Sequence, residues 1–129
     1  MSLTHREGLV MYWCEGDRSQ ESRTYRVALT SCDPKMLTLF VEWLIQYYGV
    51  EKGQMKVRLH LWPNSEEKAA KEFWAEKLEI PLQNFTKSWT KPRGSGLGKR
   101  IHLYGICRVS ISSKELLHKI ISDINREFS

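Results

Sequence analysis

Apolar residues recur along this chain with two periods, one helical and one strand-like, and the switches between them mark out the elements. Thr4-His5-Arg6-Glu7 has the form of a capping box, which predicts a first helix running to about Cys14, with Gly16 taking a positive φ as its stop. A polar loop follows over residues 17–22. From Arg23 to Thr30 the period falls to two, with Tyr25, Val27 and Leu29 on one face and Thr24, Arg26, Ala28 and Thr30 on the other. Asp33-Pro34 opens a second helix, in which Leu37, Phe40, Val41, Leu44 and Tyr48 repeat at helical spacing until Gly49 ends it.

The alternation returns at Met55, Val57, Leu59 and Leu61, with Lys56, Arg58, His60 and Trp62 opposite. Asn64-Ser65-Glu66-Glu67 caps a third helix carrying Ala70, Phe73, Trp74, Ala75 and Leu78 inward, and Pro81 ends it. Phe85 to Lys91 and Ile101 to Ile111 read as two strands joined by a basic, glycine-rich loop, Pro92 to Arg100. Ser112-Ser113-Lys114-Glu115 opens a last helix with Leu116, Leu117, Ile120, Ile121, Ile124 and Phe128 facing in. The aromatic set Trp43, Tyr47, Phe73 and Trp74 is read as core.

The order α-β-α-β-α-β-β-α has no internal repeat. It predicts a single α+β domain over residues 1–129, with a four-stranded, largely antiparallel sheet covered by helices on one face. Met1-Ser2-Leu3 reads as a cloning remnant, which would make this a domain cut from a longer chain.

One stretch departs from these one-faced patterns. Gly8-Leu9-Val10-Met11-Tyr12-Trp13-Cys14 is apolar nearly all round, which predicts burial on two sides, and it ends in Glu15-Gly16-Asp17. This segment resembles the LAGLIDADG motif of homing endonucleases, maturases and their non-cleaving relatives. Cys14-Glu15-Gly16 matches the terminal Ala-acid-Gly, and Leu9, Met11 and Tyr12 fall on apolar positions. Val10 departs from the pattern where a glycine is usual, and Trp13 where an acid often stands.

The resemblance implies a mixed α/β domain in which two such helices pack together, here from a homodimer. It places Gly8, Leu9, Val10, Tyr12 and Trp13 at the dimer interface. It makes Glu15 the catalytic and metal-binding acid, with Mg²⁺ as cofactor and double-stranded DNA as substrate. A strand pair is usual between the first two helices of that family; here one strand is read there, and a helix is added later. In sequence the likeness is confined to the first helix.

Composition sharpens the question of partner. The net charge of +5 favours a polyanion. The polar strand positions collect Arg26, Lys56, Arg58, His60, Lys87, Lys91, His102, Tyr104 and Arg108, with Arg93, Lys99 and Arg100 in the loop. Cations beside aromatic rings on a strand face suit phosphate contact and base-edge reading. Against this stands a plain solvated sheet face.

For Glu15 the bland alternative is a helix-end hydrogen-bond acceptor; for Asp17 the two roles are assisting a metal and solvating the turn, and the second is preferred. Three widely spaced cysteines give neither a disulfide framework nor a zinc pattern. Together with the absence of a signal peptide or membrane span, they give a cytoplasmic reading and make the Asn84-Phe85-Thr86 glycosylation triplet accidental.

Three readings of function are open, of which the first two are a DNA-binding protein, cleaving or not, and a regulatory or protein-interaction domain using the same fold. An RNA-binding, maturase-like module is a third.

Overall fold

The computed structural model describes residues 2–17, 25–63, 65–90 and 104–129. The first helix, α1 (His5–Glu15), begins at the expected capping box. Thr4 Oγ1 accepts from the Glu7 amide at 3.1 Å, and the Glu7 carboxylate accepts from the Thr4 amide at 2.9 Å. Strand β1 (Arg26–Ser31) leads to α2 (Pro34–Tyr48), where Asp33 caps the Lys35 amide at 2.9 Å and Gly49 stops the helix with φ 65°. Then come β2 (Lys56–Leu61), α3 (Glu67–Leu78), β3 (Trp89–Thr90), β4 (Ile106–Ser112) and α4 (Lys114–Phe128). The Ser113 hydroxyl caps α4 by accepting from the Leu116 amide at 3.1 Å.

Among the described residues the strands form one mixed sheet in the order β1-β4-β2-β3. The last strand in sequence is therefore central. β4 pairs antiparallel with β1 and with β2, while β3 lies parallel to β2 across the α3 crossover. Val27, Leu29, Val57, Leu59, Leu61, Cys107, Val109 and Ile111 point to one side, where they join Leu37, Phe40, Leu44, Trp74, Leu117 and Ile120 of the helices in one core. The chain is thus a small α+β domain with helices against one face of a four-stranded sheet.

Three expectations are corrected here. The first concerns β3: of the expected strand from Phe85 to Lys91, only Trp89–Thr90 are in strand among the described residues. Upstream, Leu82–Asn84 forms a 3-10 turn, and the buried Asn84 amide donates to the carbonyls of Lys52 and Met55 at 2.9 and 3.0 Å. The chain then touches β2 only through a Phe85–Val57 bridge before Trp89. The same bonds engage the side chain of the glycosylation triplet.

The second correction is to Gly16, whose φ of −80° is extended backbone open to any residue. Space, not conformation, selects it: a Cβ there would lie 2.2 Å from the Tyr12 ring. The third is to Tyr47, which is exposed on α2 and lies outside the core, unlike the buried Trp43 and Trp74.

Asp17 also pairs antiparallel with Ala28 in an isolated bridge, its amide donating to the Ala28 carbonyl at 2.9 Å. The chain leaving α1 therefore returns alongside the free edge of β1. A polar cluster ties the helices together behind the sheet. The Tyr48 hydroxyl donates to Asp123 Oδ2 at 2.7 Å and lies 2.9 Å from His5 Nε2, and Arg126 holds Asp123 Oδ1 at 2.6 Å. Burial and the Asp123 carboxylate push the Tyr48 phenol well above its ordinary range, so it remains a donor.

Candidate nucleic-acid interface

Alternation along three strands places Arg26, Lys56, Arg58, His60 and Arg108 on the face that no described helix covers. With Thr86, Ser110 and Ser112 they line a shallow concavity of about 510 Å³. The register sets them in rungs. Thr30, Arg108 and Arg58 lie side by side across β1, β4 and β2; one rung over lie Ala28, Ser110 and Lys56. Ile106, His60 and Trp89 form a third rung across β4, β2 and β3.

Two guanidinium groups directly opposite each other, Arg58 and Arg108, repel. The structure relieves this through Asp17, whose Oδ2 lies 2.7 Å from Arg108 Nη2. Asp17 reaches that position because its backbone pairs with Ala28 and because the Tyr12 hydroxyl donates to its carbonyl. An acid thus sits at the margin of the basic face, and it engages one of the arginines. Its role as an ion-pair partner corrects the reading of Asp17 as a solvated turn residue. Burial, then the charges of Arg58 and Arg108, hold the His60 imidazole below its ordinary value, so it is neutral at physiological pH.

Tyr104 is corrected too. It stacks on Phe73 of α3 with ring centroids 4.1 Å apart, and its carbonyl accepts from Trp74 Nε1 at 2.9 Å. That places it with the helical layer, away from the basic face. Lys87 is exposed between the 3-10 turn and β3, outside any strand. Lys91, Arg93, Lys99, Arg100 and His102 lie outside the described residues.

Trp89 was absent from the sequence-derived set, and it is exposed beside His60, with ring centroids 5.8 Å apart. The signal was available: Trp89 has the same parity as Lys87 and Lys91.

Glu15 is exposed at the last position of α1. Among the described residues no cluster of three or more His, Cys, Asp or Glu side chains stands close enough to hold a metal. Asp17 is engaged by Arg108, and Glu15 belongs to no such cluster among the described residues. A hard divalent cation prefers several oxygen ligands, so these residues do not by themselves fit Mg²⁺.

The five positions expected at a helix–helix seam divide. Leu9 and Tyr12 are fully buried in the chain's own core. Gly8 is buried against Trp43, where a Cβ would lie 1.9 Å from the indole nitrogen; that nitrogen donates to the His5 carbonyl at 3.2 Å. Val10 and Trp13 face outward, Trp13 stacking on Phe128 at 5.2 Å. The second buried side foreseen for α1 is therefore limited to these outward residues, because α1 already packs on α2, α4 and β1. No described helix is long and apolar enough to cross a membrane, and Cys14, Cys32 and Cys107 are all free.

Comparison with known proteins identifies no relative. No family model, curated protein or solved structure matches the chain.

Proposed function

We propose that this chain is a DNA-binding domain that lays the open face of its sheet on the phosphate backbone. One observation carries the reading: Arg26, Lys56, Arg58 and Arg108 come from three different strands to a single face that no described helix covers. A solvated face needs no such convergence, whereas a polyanion track does.

The test is duplex DNA binding across a salt series. Each phosphate contact contributes about 0.9 to the slope of log K against log salt. Arg58→Ala and Lys56→Ala should each flatten the slope by about that amount. Absence of binding at low salt refutes the proposal and leaves the protein-interaction class, for which the exposed Val10 and Trp13 of α1 are the available surface.

Cleavage belongs to the LAGLIDADG resemblance. It requires a second carboxylate beside Glu15, contributed by another copy paired along α1. Specific cuts in the presence of Mg²⁺, lost in Glu15→Gln, would establish it. Retained binding without cutting would mark a non-cleaving protein.

A further inference from the structure

The basic face carries one large ring that phosphate binding does not explain. Trp89 keeps 42% of its surface in solvent, at the sheet edge, while Trp43 and Trp74 are buried in the core. It stands opposite His60 in the parallel register of β2 and β3, on the same face as the cations. A half-exposed indole beside several cations is complemented by a partner with both an apolar surface and a negative charge.

Within a fully paired duplex the base faces are stacked and out of reach, and only edges and phosphates are offered. An unpaired nucleotide offers both a π-face and a phosphate. We propose that Trp89, with His60 beside it, is a stacking platform for one unpaired base of a nucleic-acid strand whose phosphates run over Arg58 and Lys56. This rests on the reading of the sheet face given above.

The geometry suits that occupant. Arg58 lies two residues from His60 along β2, on the same face and diagonal to Trp89. Ring planes of Trp89 and His60 are inclined at 53°, so the two do not stack on each other and cover the indole face. The neutral state of His60 leaves a second aromatic surface without a competing charge. DNA and RNA strands share the recognised chemistry, and the test separates them.

Short labelled single strands of DNA and of RNA, and a blunt duplex of the same sequence, are titrated by fluorescence anisotropy against the whole chain and its variants. Circular dichroism verifies that each variant is folded. Trp89→Ala should weaken single-strand binding about ten-fold while leaving the duplex unchanged, with Trp89→Phe recovering most of the loss. His60→Ala, a second route should the edge strand not tolerate Trp89→Ala, should weaken single-strand binding in the same sense. Lys56→Ala should weaken binding to all ligands.

Equal effects of the Trp89 changes on DNA and RNA strands support recognition of the base face alone; a larger effect on one identifies that strand as the ligand. Duplex binding that responds to Lys56→Ala, with single strands indifferent to both ring variants, overturns the platform and leaves the backbone reading intact. Failure of wild-type protein to bind any of the three overturns both.

Discussion

Asp17→Asn should make this protein bind DNA more tightly. The carboxylate accepts from Arg108 Nη2 at 2.7 Å, and in doing so it holds in place one of the four cationic side chains on the open face. The amide keeps the shape of the side chain, and the backbone bonds of Asp17 to Ala28 and from Tyr12 do not involve the carboxylate.

Removing the charge has two consequences of opposite sign. Both partners are partly solvent-exposed, at 23% and 33%, so water screens the pair and its loss costs at most ~1 kcal/mol of stability. That corresponds to a fall in Tm of about 2–6 °C for a domain of this size. Arg108 is then available to a phosphate. One additional contact steepens the slope of log K against log salt by about 0.9, which at ~0.1 M salt is a gain of about ten-fold relative to the 1 M limit.

The assay is a duplex titration at several salt concentrations, beside thermal melts. Arg108→Ala completes a cycle: in the wild-type background it should cost less affinity than Arg58→Ala, and in the Asp17→Asn background it should abolish the gain. A folded Asp17→Asn protein that binds no more tightly than wild type, with an unchanged salt slope, would refute the assignment of this face.

Three other outcomes follow from the packing. Gly8→Ala gains ~1 kcal/mol in helix propensity but drives a methyl into the Trp43 indole, an overpacking cost of ~1–3 kcal/mol, and endangers a hydrogen bond worth about 1 kcal/mol. Urea unfolding should show a net loss of about 1–3 kcal/mol that is independent of protein concentration; a loss seen only as weaker association would move Gly8 to a seam between copies. Tyr48→Phe removes the donor to the buried Asp123 and should lower stability by about 1–3 kcal/mol in the same experiment, whereas an unchanged midpoint would mean that Arg126 alone satisfies the carboxylate. His60 has a folded-state pKa held below its ordinary value of 6.5, so the unfolded chain takes up the proton first as the pH falls. Its contribution is therefore full above that value and declines below it, and His60→Gln should flatten the fall in Tm between about pH 7 and 5; an equally steep fall in the variant would assign the pH dependence to other groups.

Helix starts and the polar side of three strands are legible in the chain without its fold. Capping at Thr4, Asp33 and Ser113 depends on hydrogen bonds within a few residues, and the basic parity of Arg26, Lys56, Arg58, His60 and Arg108 follows from period-two geometry. Such signals are short-range, so they survive any arrangement of the elements.

Tertiary structure alone decided that the last strand lies between β1 and β2, which sets Arg108 against Arg58 and brings in Asp17 from a distant part of the chain. It also decided that Leu9 and Tyr12 turn inward while Val10 and Trp13 stay out. A helix apolar nearly all round has no local preference for which side is buried; the space beside Trp43 and Phe40 sets it. The late start of β3 has the same origin, since Asn84 holds backbone carbonyls some thirty residues earlier in the chain and interrupts a run whose own alternation would have allowed an earlier start.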